Sequence, residues 1–379
     1  MNICYFADGR SIHTKRWMKY FIGRGQEMFL LSYVPLAPQE IAELEEMGVR
    51  YRGHTGGFHL KKFWLTLRDL RKLRRVLKQD KIDILHCHFL GAHTWLAALS
   101  RFHPYIITIM GGGDVRGRNW QPNANKAEKI LTPYALRKAD YVTSWSHLMA
   151  DVARPYCSAP IEVIHGGVHL DKFFPGDKPQ YLLDRWQIPS DAKVIFSPRL
   201  MRPLSNIDKI AEAFVEVSRN APDAYLIIAA PSWESFGDYE NKVRDIIDRA
   251  SLTAKARFVG MIPHHEIADY FRLADVTVAI PDIDGTPMTA MESMACSVPT
   301  VIGNQEDYDA EYFENEKTTL MVDVKNSSEI AKAILRLWSD KELSKRIIEE
   351  ARRRTSESGG YETQMAKMER IYSELENKR

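Results

Sequence analysis

Residues 279–300 read AIPDIDGTPMTAMESMACSVPT: an apolar strand ends, a short turn follows, and a helix of small residues begins that carries Glu292. Val276, Val278 and Ile280 alternate to close the strand, and Asp284 and Gly285 supply the turn. Thr286 is placed to cap the helix, and Pro287 suits its first position, where a missing N–H costs nothing. The amides of Met288 and Thr289 are then directed at whatever occupies the turn. A helix start with exposed N–H groups and a positive dipole end attracts anions, while Asp284 and Glu292 add carboxylates suited to hydroxyl groups. A ligand that is both phosphorylated and rich in hydroxyls, such as a nucleotide sugar, satisfies both chemistries.

Working outward, short apolar segments alternate with amphipathic ones throughout. Strands are predicted at 2–6, 28–32, 82–86, 105–110, 141–144 and 162–164, then again at 193–197, 224–229, 256–259, 276–280, 300–302 and 319–322. In the second series helices are predicted near 206–219, 237–251, 264–274, 287–296 and 327–338. This βα rhythm implies an α/β fold of two parallel, doubly wound sheets. The predicted division runs 1–172, a linker at 173–180 containing FPGDKPQ, and 181–360, with a last helix at 361–378 that packs on either half. A length of 379 residues with 45% hydrophobic residues fits two cores better than one.

Cys4, Cys87, Cys157 and Cys296 form no CxxC pair, which argues against a zinc knuckle or a disulfide framework and fits a reducing, cytoplasmic setting. No apolar run is long enough to span a bilayer, so any membrane contact is expected to be peripheral. The net charge is +2, but residues 1–175 carry 25 Lys and Arg against 15 Asp and Glu, and the remainder 27 against 35. Much of the excess falls between Leu60 and Lys81, where nine cations meet only Asp69 and Asp80 on an amphipathic pattern. That helix either packs with a solvated basic face or meets anionic headgroups. Nucleic acid is disfavoured by the near-neutral total and the lack of a recognition motif.

The block FVGMIPHHEIADYFRLADVTVAIPDIDGTPMTAMESMACSVPTVI (258–302) resembles the donor-site block of the retaining glycosyltransferases of family 4, of the GT-B fold, in which two acids eight residues apart bracket a Gly-x-Pro turn. The resemblance covers nearly the whole chain. It implies two Rossmann-like domains facing a cleft, with Asp284 at the transferred sugar and Glu292 at the nucleotide ribose. Asp284 stands where most members have Glu, one methylene longer. In SPRLMRPLSNIDKIAEAF the resemblance assigns Arg199 to the donor diphosphate; Leu204 occupies the usual lysine position, and Arg202 is the nearest replacement. Gly260 falls in the segment that builds the base pocket. In the first half, YFADGRSIHTKRW places Gly9 in a phosphate-facing turn, with His13, Lys15 and Arg16 beside it, and Asp114 after Met110-Gly111-Gly112-Gly113 is the candidate to orient the acceptor hydroxyl. His86 and His88 are expected on opposite faces of their strand, one in the core and one at the cleft.

The implied reaction is metal-independent transfer from a UDP- or GDP-sugar to a saccharide or lipid-linked acceptor, as in surface glycan synthesis. Asp282-Ile283-Asp284 matches a manganese-binding pattern of the other glycosyltransferase fold but lies in the wrong context. Two alternatives stay open: a nucleotide-binding partner subunit without turnover, suggested by Leu204, Asp284 and Ala229-Ala230-Pro231, and a sugar-nucleotide epimerase on the same fold. A dinucleotide oxidoreductase is disfavoured because no GxGxxG follows the first strand.

Overall fold

The computed structural model describes residues 1–59, 62–110, 115–116, 119–120, 126–229, 237–284, 286–305 and 308–378. The chain divides into two units, Met1–Gly166 with Gln364–Arg379, and Gly167–Thr363. The first holds a seven-stranded sheet of β1 (Asn2–Ala7), β2 (Glu27–Ser32), β3 (Arg50–His54), β4 (Ile84–His88), β5 (Tyr105–Ile109), β8 (Tyr141–Ser144) and β9 (Ile161–Val163), in the order β3-β2-β1-β4-β5-β8-β9. Every pairing is parallel. A small antiparallel ribbon, β6 (Val115–Arg116) with β7 (Asn119–Trp120), stands apart from it.

The second unit repeats the plan with β10 (Lys193–Ser197), β11 (Ala224–Ala229), β12 (Ala256–Gly260), β13 (Val276–Ala279), β14 (Thr300–Gly303) and β15 (Leu320–Val322), ordered β12-β11-β10-β13-β14-β15. Its strands are apolar on both faces because helices cover both. Ile195, Leu226, Val278 and Val301 enter one core cluster, while Val194, Phe196, Ile227 and Ile302 enter the other, the alternation that a pleated strand imposes. The chain runs outward from β10 through β11 to β12 and then returns to β13 on the opposite side of β10. That reversal is the position at which open parallel sheets leave a crevice beyond their carboxyl ends.

Four differences from the sequence reading have local causes. β3 was not expected because RYRGH is polar; it is an edge strand, and Arg50 and Arg52 lay their guanidinium groups over Phe29, at 5.4 and 5.2 Å from the ring centre. The helix Lys341–Glu357 escaped notice under its charge, since it buries only Leu343, Ile347, Ala351 and Thr355, a four-residue stripe. The 173–180 stretch lies inside the second unit, where Phe173 is buried in the core and Lys178 pairs with Asp275 at 2.6 Å. The basic helix, Phe63–Gln79, leaves Phe63 and Trp64 exposed (65% and 66%) and buries Asp69 instead, against His59 and Arg68; Leu60 and Lys61 lie outside the described residues.

The last helix, Tyr361–Glu376, belongs to the first unit from Gln364 onward. Its anchor is polar. The Tyr372 hydroxyl meets His86 Nδ1 at 2.6 Å and the Tyr5 hydroxyl at 2.9 Å, while His86 Nε2 meets Thr108 Oγ1 at 2.5 Å, all buried. Each partner satisfies another, which is the condition under which polar groups are tolerated in a core.

Candidate functional site

β10 and β13 are neighbours, with Ile195 opposite Val276 and Phe196 opposite Thr277, so the loops that follow them leave the same edge of the sheet. This register brings Arg199 to Asp284, 85 positions along the chain, in an ion pair of 2.8 Å between two side chains that are 18% and 16% exposed. The turn that carries Asp284 is held from a third strand. Gln305, just past β14, donates from Nε2 to Pro281 O (2.8 Å) and accepts from Asp284 N at Oε1 (3.2 Å), so one amide spans the turn. Asp282 N donates to Leu204 O (2.9 Å), and Asn206 Nδ2 donates to Ile280 O (2.9 Å) and Asp282 Oδ1 (2.7 Å). Lys325 Nζ completes this seam, 2.6 Å from Asp282 Oδ1 and 2.7 Å from Asn206 Oδ1. Asp282 therefore serves the loop-to-loop seam, and Asp284 alone faces Arg199.

The same edge carries polar atoms with no partner among the described residues: Ser197 Oγ at the end of β10, Arg202 Nε in the following loop, Thr289 Oγ1 at the helix start and the Tyr308 hydroxyl after β14. Tyr308 is 7% exposed and packs its ring 5.5 Å from Phe313. Burial, reinforced by the nearby Asp284 charge and offset in part by Arg199, pushes its phenol well above the usual range, so the hydroxyl stays a hydrogen-bond donor. An unsatisfied buried polar group costs about 1–3 kcal/mol, and several at one sheet edge mark a surface shaped for a polar ligand.

The helix after the turn starts later than the sequence suggested. It spans Met288–Ala295, with Pro287 as its cap, not Thr286, and Pro287 sits at φ −73°, ψ 80°, outside the helix. Met288 N donates back to Thr286 O at 2.8 Å, so that amide is not available to a ligand. The proline's non-helical ψ delays the first helical turn by one residue. Inward, the helix buries Ala290, Met291, Ser293, Met294 and Ala295, while Met288, Thr289 and Glu292 stay partly open on one stripe. Gly260 ends β12, on the far side of β11 from β10; its φ of +67° is a conformation glycine adopts freely, and an added Cβ would meet nothing. Gly285 and Asp114 lie outside the described residues.

In the first unit the described candidates have packing or pairing partners within the unit. A Cβ at Gly9 would come within 2.6 Å of Leu36 Cδ1 and 2.9 Å of Leu30 Cδ2, the movable ends of two side chains, so packing favours a glycine here without demanding it. The helix Ile12–Gly23 is capped internally by Ser11 Oγ, which accepts from Thr14 N at 3.5 Å, and Lys15 pairs with Glu43 at 2.6 Å. His13 lies edge-on to Trp145, with ring centres 4.5 Å apart, and burial, then Arg16, lowers it to about 4. His86 and His88 share one face of β4, ring centres 4.7 Å apart, which corrects the opposite-face expectation: residues two apart on a strand point the same way. Both are fully buried, His88 Nδ1 meeting Thr14 Oγ1 at 3.2 Å.

Two family profiles match the chain, Glycosyltransferase Family 4 over residues 7–172 and Glycosyl transferases group 1 over residues 182–354, together most of its length. The chain belongs to the family 4 glycosyltransferases. Among curated relatives, an N-acetyl-alpha-D-glucosaminyl L-malate synthase of Bacillus anthracis is 21% identical over 312 residues, 80% of this chain and 78% of the relative. A D-inositol 3-phosphate glycosyltransferase of Streptosporangium roseum is 28% identical over 249 residues, 62% of this chain and 56% of the relative. Among solved structures, a glycosyltransferase from Rickettsia africae superposes with a TM-score of 0.82 at 19% identity, covering 99% of this chain and 98% of the other. Anabaena HepE, solved in complex with UDP-glucose, gives 0.77 at 14% identity over 99% and 100%. These likenesses establish the GT-B architecture of two Rossmann-like units.

For this glycosyltransferase, the structure brings together Arg199 and Asp284, two of the sequence candidates, with Gln305, Tyr308 and Ser197, which the sequence reading did not single out. The available signal was position: each polar side chain closes or directly follows a strand of an apolar parallel sheet, on the edge where such sheets bind ligands.

Proposed function

We propose that this glycosyltransferase moves a hexosyl residue from a UDP- or GDP-sugar to a saccharide or lipid-linked acceptor with retention of anomeric configuration. The observation that carries the proposal is the half-buried Arg199–Asp284 pair, set among hydroxyl and guanidinium atoms that have no partner among the described residues. A donor diphosphate supplies what they lack. Arg199 exchanges a carboxylate for phosphate oxygens, Arg202 reaches the same charge, and Asp284 is released to accept from a sugar hydroxyl. The bond from the anomeric carbon to the diphosphate oxygen breaks and its electron pair stays on the leaving group. The acceptor oxygen bonds the anomeric carbon from the same face, and its proton passes to the departing phosphate. Fixed cations at the developing charge make the largest contribution to such a reaction, and two guanidinium groups supply it without a metal.

Support for a nucleotide-sugar donor also comes from HepE, whose structure was solved with UDP-glucose. Glu292, partly open on the helix behind the turn, is assigned the ribose hydroxyls, and Asp114 the acceptor hydroxyl. Exposed Phe63 and Trp64 at the head of the basic helix support peripheral contact with an anionic membrane, where a lipid-linked acceptor resides.

The test is release of nucleoside diphosphate from a panel of UDP- and GDP-sugars with saccharide and lipid-linked acceptors, with the product's anomeric configuration read by NMR. The expected result is turnover with retention, undiminished by EDTA and lowered about 10²–10³-fold in Arg199→Ala. Turnover in Arg199→Ala within about tenfold of wild type, or an inverted product, would overturn the proposal.

A further inference from the structure

A cavity of about 510 Å³ lies in the first unit where two helices end, Phe63–Gln79 and Ala92–Ser100. Its rim carries Arg74, Lys78, Lys81 and Arg101. The segments 81–83 and 100–102 that shape it lead into β4 and β5, so it sits at the amino-terminal edge of that sheet, opposite the carboxyl edge. Arg74 is fixed: its Nε donates to Ser100 O (3.3 Å) and its Nη2 to Leu99 O (3.2 Å). Among the described residues Lys78, Lys81 and Arg101 have no ion pair, and Asp83, the single carboxylate in the lining, accepts from Asn2 N at 2.8 Å.

One cation near each helix end would complement the partial negative charge of its last carbonyls. Four exceed that need, and the three outside any ion pair repel one another across the opening. Lys81 and Arg101 hold left-handed backbone, φ 48° and 57°, just past the ends of the two helices, and both line the same hollow. The floor is apolar, made by Leu77, Ile82 and Phe102. A concave site with converging cations and an apolar base suits an anion mounted on a greasy body.

We propose that this cavity is a phosphate-ester site, taking a phosphate group between Lys78, Lys81 and Arg101 with its organic portion on Leu77, Ile82 and Phe102. The phosphate comes either from an anionic lipid headgroup or from a free phosphorylated metabolite.

The test is calorimetric titration of the full chain with dihexanoyl phosphatidic acid below its micelle concentration and, separately, with glycerol 3-phosphate. Three proteins are compared: wild type, Lys78→Gln/Arg101→Gln, and Arg71→Gln/Arg75→Gln. The last pair removes equal charge from exposed positions outside the cavity lining. Unchanged circular dichroism and melting temperature certify folding. The expected result is binding by wild type, weakened at least about tenfold in the cavity pair and less than about twofold in the control pair, since charge-assisted hydrogen bonds to phosphate are among the strongest a protein makes. If the acyl-bearing probe binds about tenfold tighter than glycerol 3-phosphate, the source is a lipid; equal affinities identify a free metabolite. No binding of either probe by wild type, or equal weakening in the two pairs, would overturn the proposal.

Discussion

The two units gather polar residues differently, within the strands and the last helix in the first and at or beyond the strand ends in the second. In the first, His86, Tyr372, Tyr5 and Thr108 satisfy one another inside the core and fasten the last helix. In the second, Ser197, Arg202, Thr289 and Tyr308 each present an atom with no partner among the described residues, around the Arg199–Asp284 pair. The first cluster is satisfied within the chain and holds the fold, while the second leaves hydrogen-bonding capacity unused beside an ion pair. The contrast is between these two clusters and not between whole sheet edges, since His88 Nε2, at the end of β4, also has no partner among the described residues.

Breaking this contrast at its strongest point means removing Arg199. Arg199→Ala should lower kcat by about 10²–10³-fold, the usual effect of losing a donor at developing charge, while leaving the melting temperature close to wild type. A variant that unfolds instead would make the ion pair structural. Next come two matched tyrosine variants. Tyr372→Phe should cost about 1–3 kcal/mol in urea unfolding, because it strands buried partners, with no change in donor affinity. Tyr308→Phe removes a hydroxyl that bonds nothing among the described residues, so stability should stay within about 0.5 kcal/mol while donor KM rises about tenfold, one hydrogen bond's worth. Interchanged effects would refute the distinction between the two clusters.

The smallest expected effect sharpens the comparison through pH. Burial lowers His86 and His93 from 6.5 to about 3 and about 4, and burial aided by Lys367 lowers His165 to about 3, all in the first unit. Below 6.5 the unfolded chain takes up protons that the folded one refuses, so this stability is whole above 6.5 and is lost as pH falls toward 3. In the second unit Glu350, held from 4.5 down to about 2 by Arg353 and Arg354, contributes stability that is lost only as pH falls from 4.5 toward 2. Hydrogen exchange corrected for intrinsic rates should therefore show protection falling between pH 7 and pH 5 in the first unit and holding in the second. Equal loss in both would contradict the assignment.

The βα rhythm was legible because most central strands are short apolar runs, NICYFA, YIITI and KVIFS among them, and burial on both faces favours that. Elements held mainly by side chains of distant segments were not. RYRGH reads as loop until Phe29 appears beneath its arginines, and the His86–Tyr372 anchor joins residues 286 positions apart. At the site, Arg199, Asp284 and Glu292 were legible from a local pattern. Gln305 and Tyr308 follow a different strand, and their relation to Asp284 exists only once β13 and β14 pair. The helix start was misread by one residue because Thr-Pro suits either register locally, and the Met288–Thr286 hydrogen bond decides it.

The central claim is that the second unit alone carries a nucleotide-diphosphate site behind the Asp284 turn. It is tested most directly by titrating UDP and GDP into wild type and Glu292→Ala and following the melting temperature. The account predicts a concentration-dependent rise with one of the two nucleotides, as linkage requires of a ligand that binds the folded state, and its loss in the variant. An equal rise in both proteins, or none in wild type at millimolar nucleotide, would contradict it.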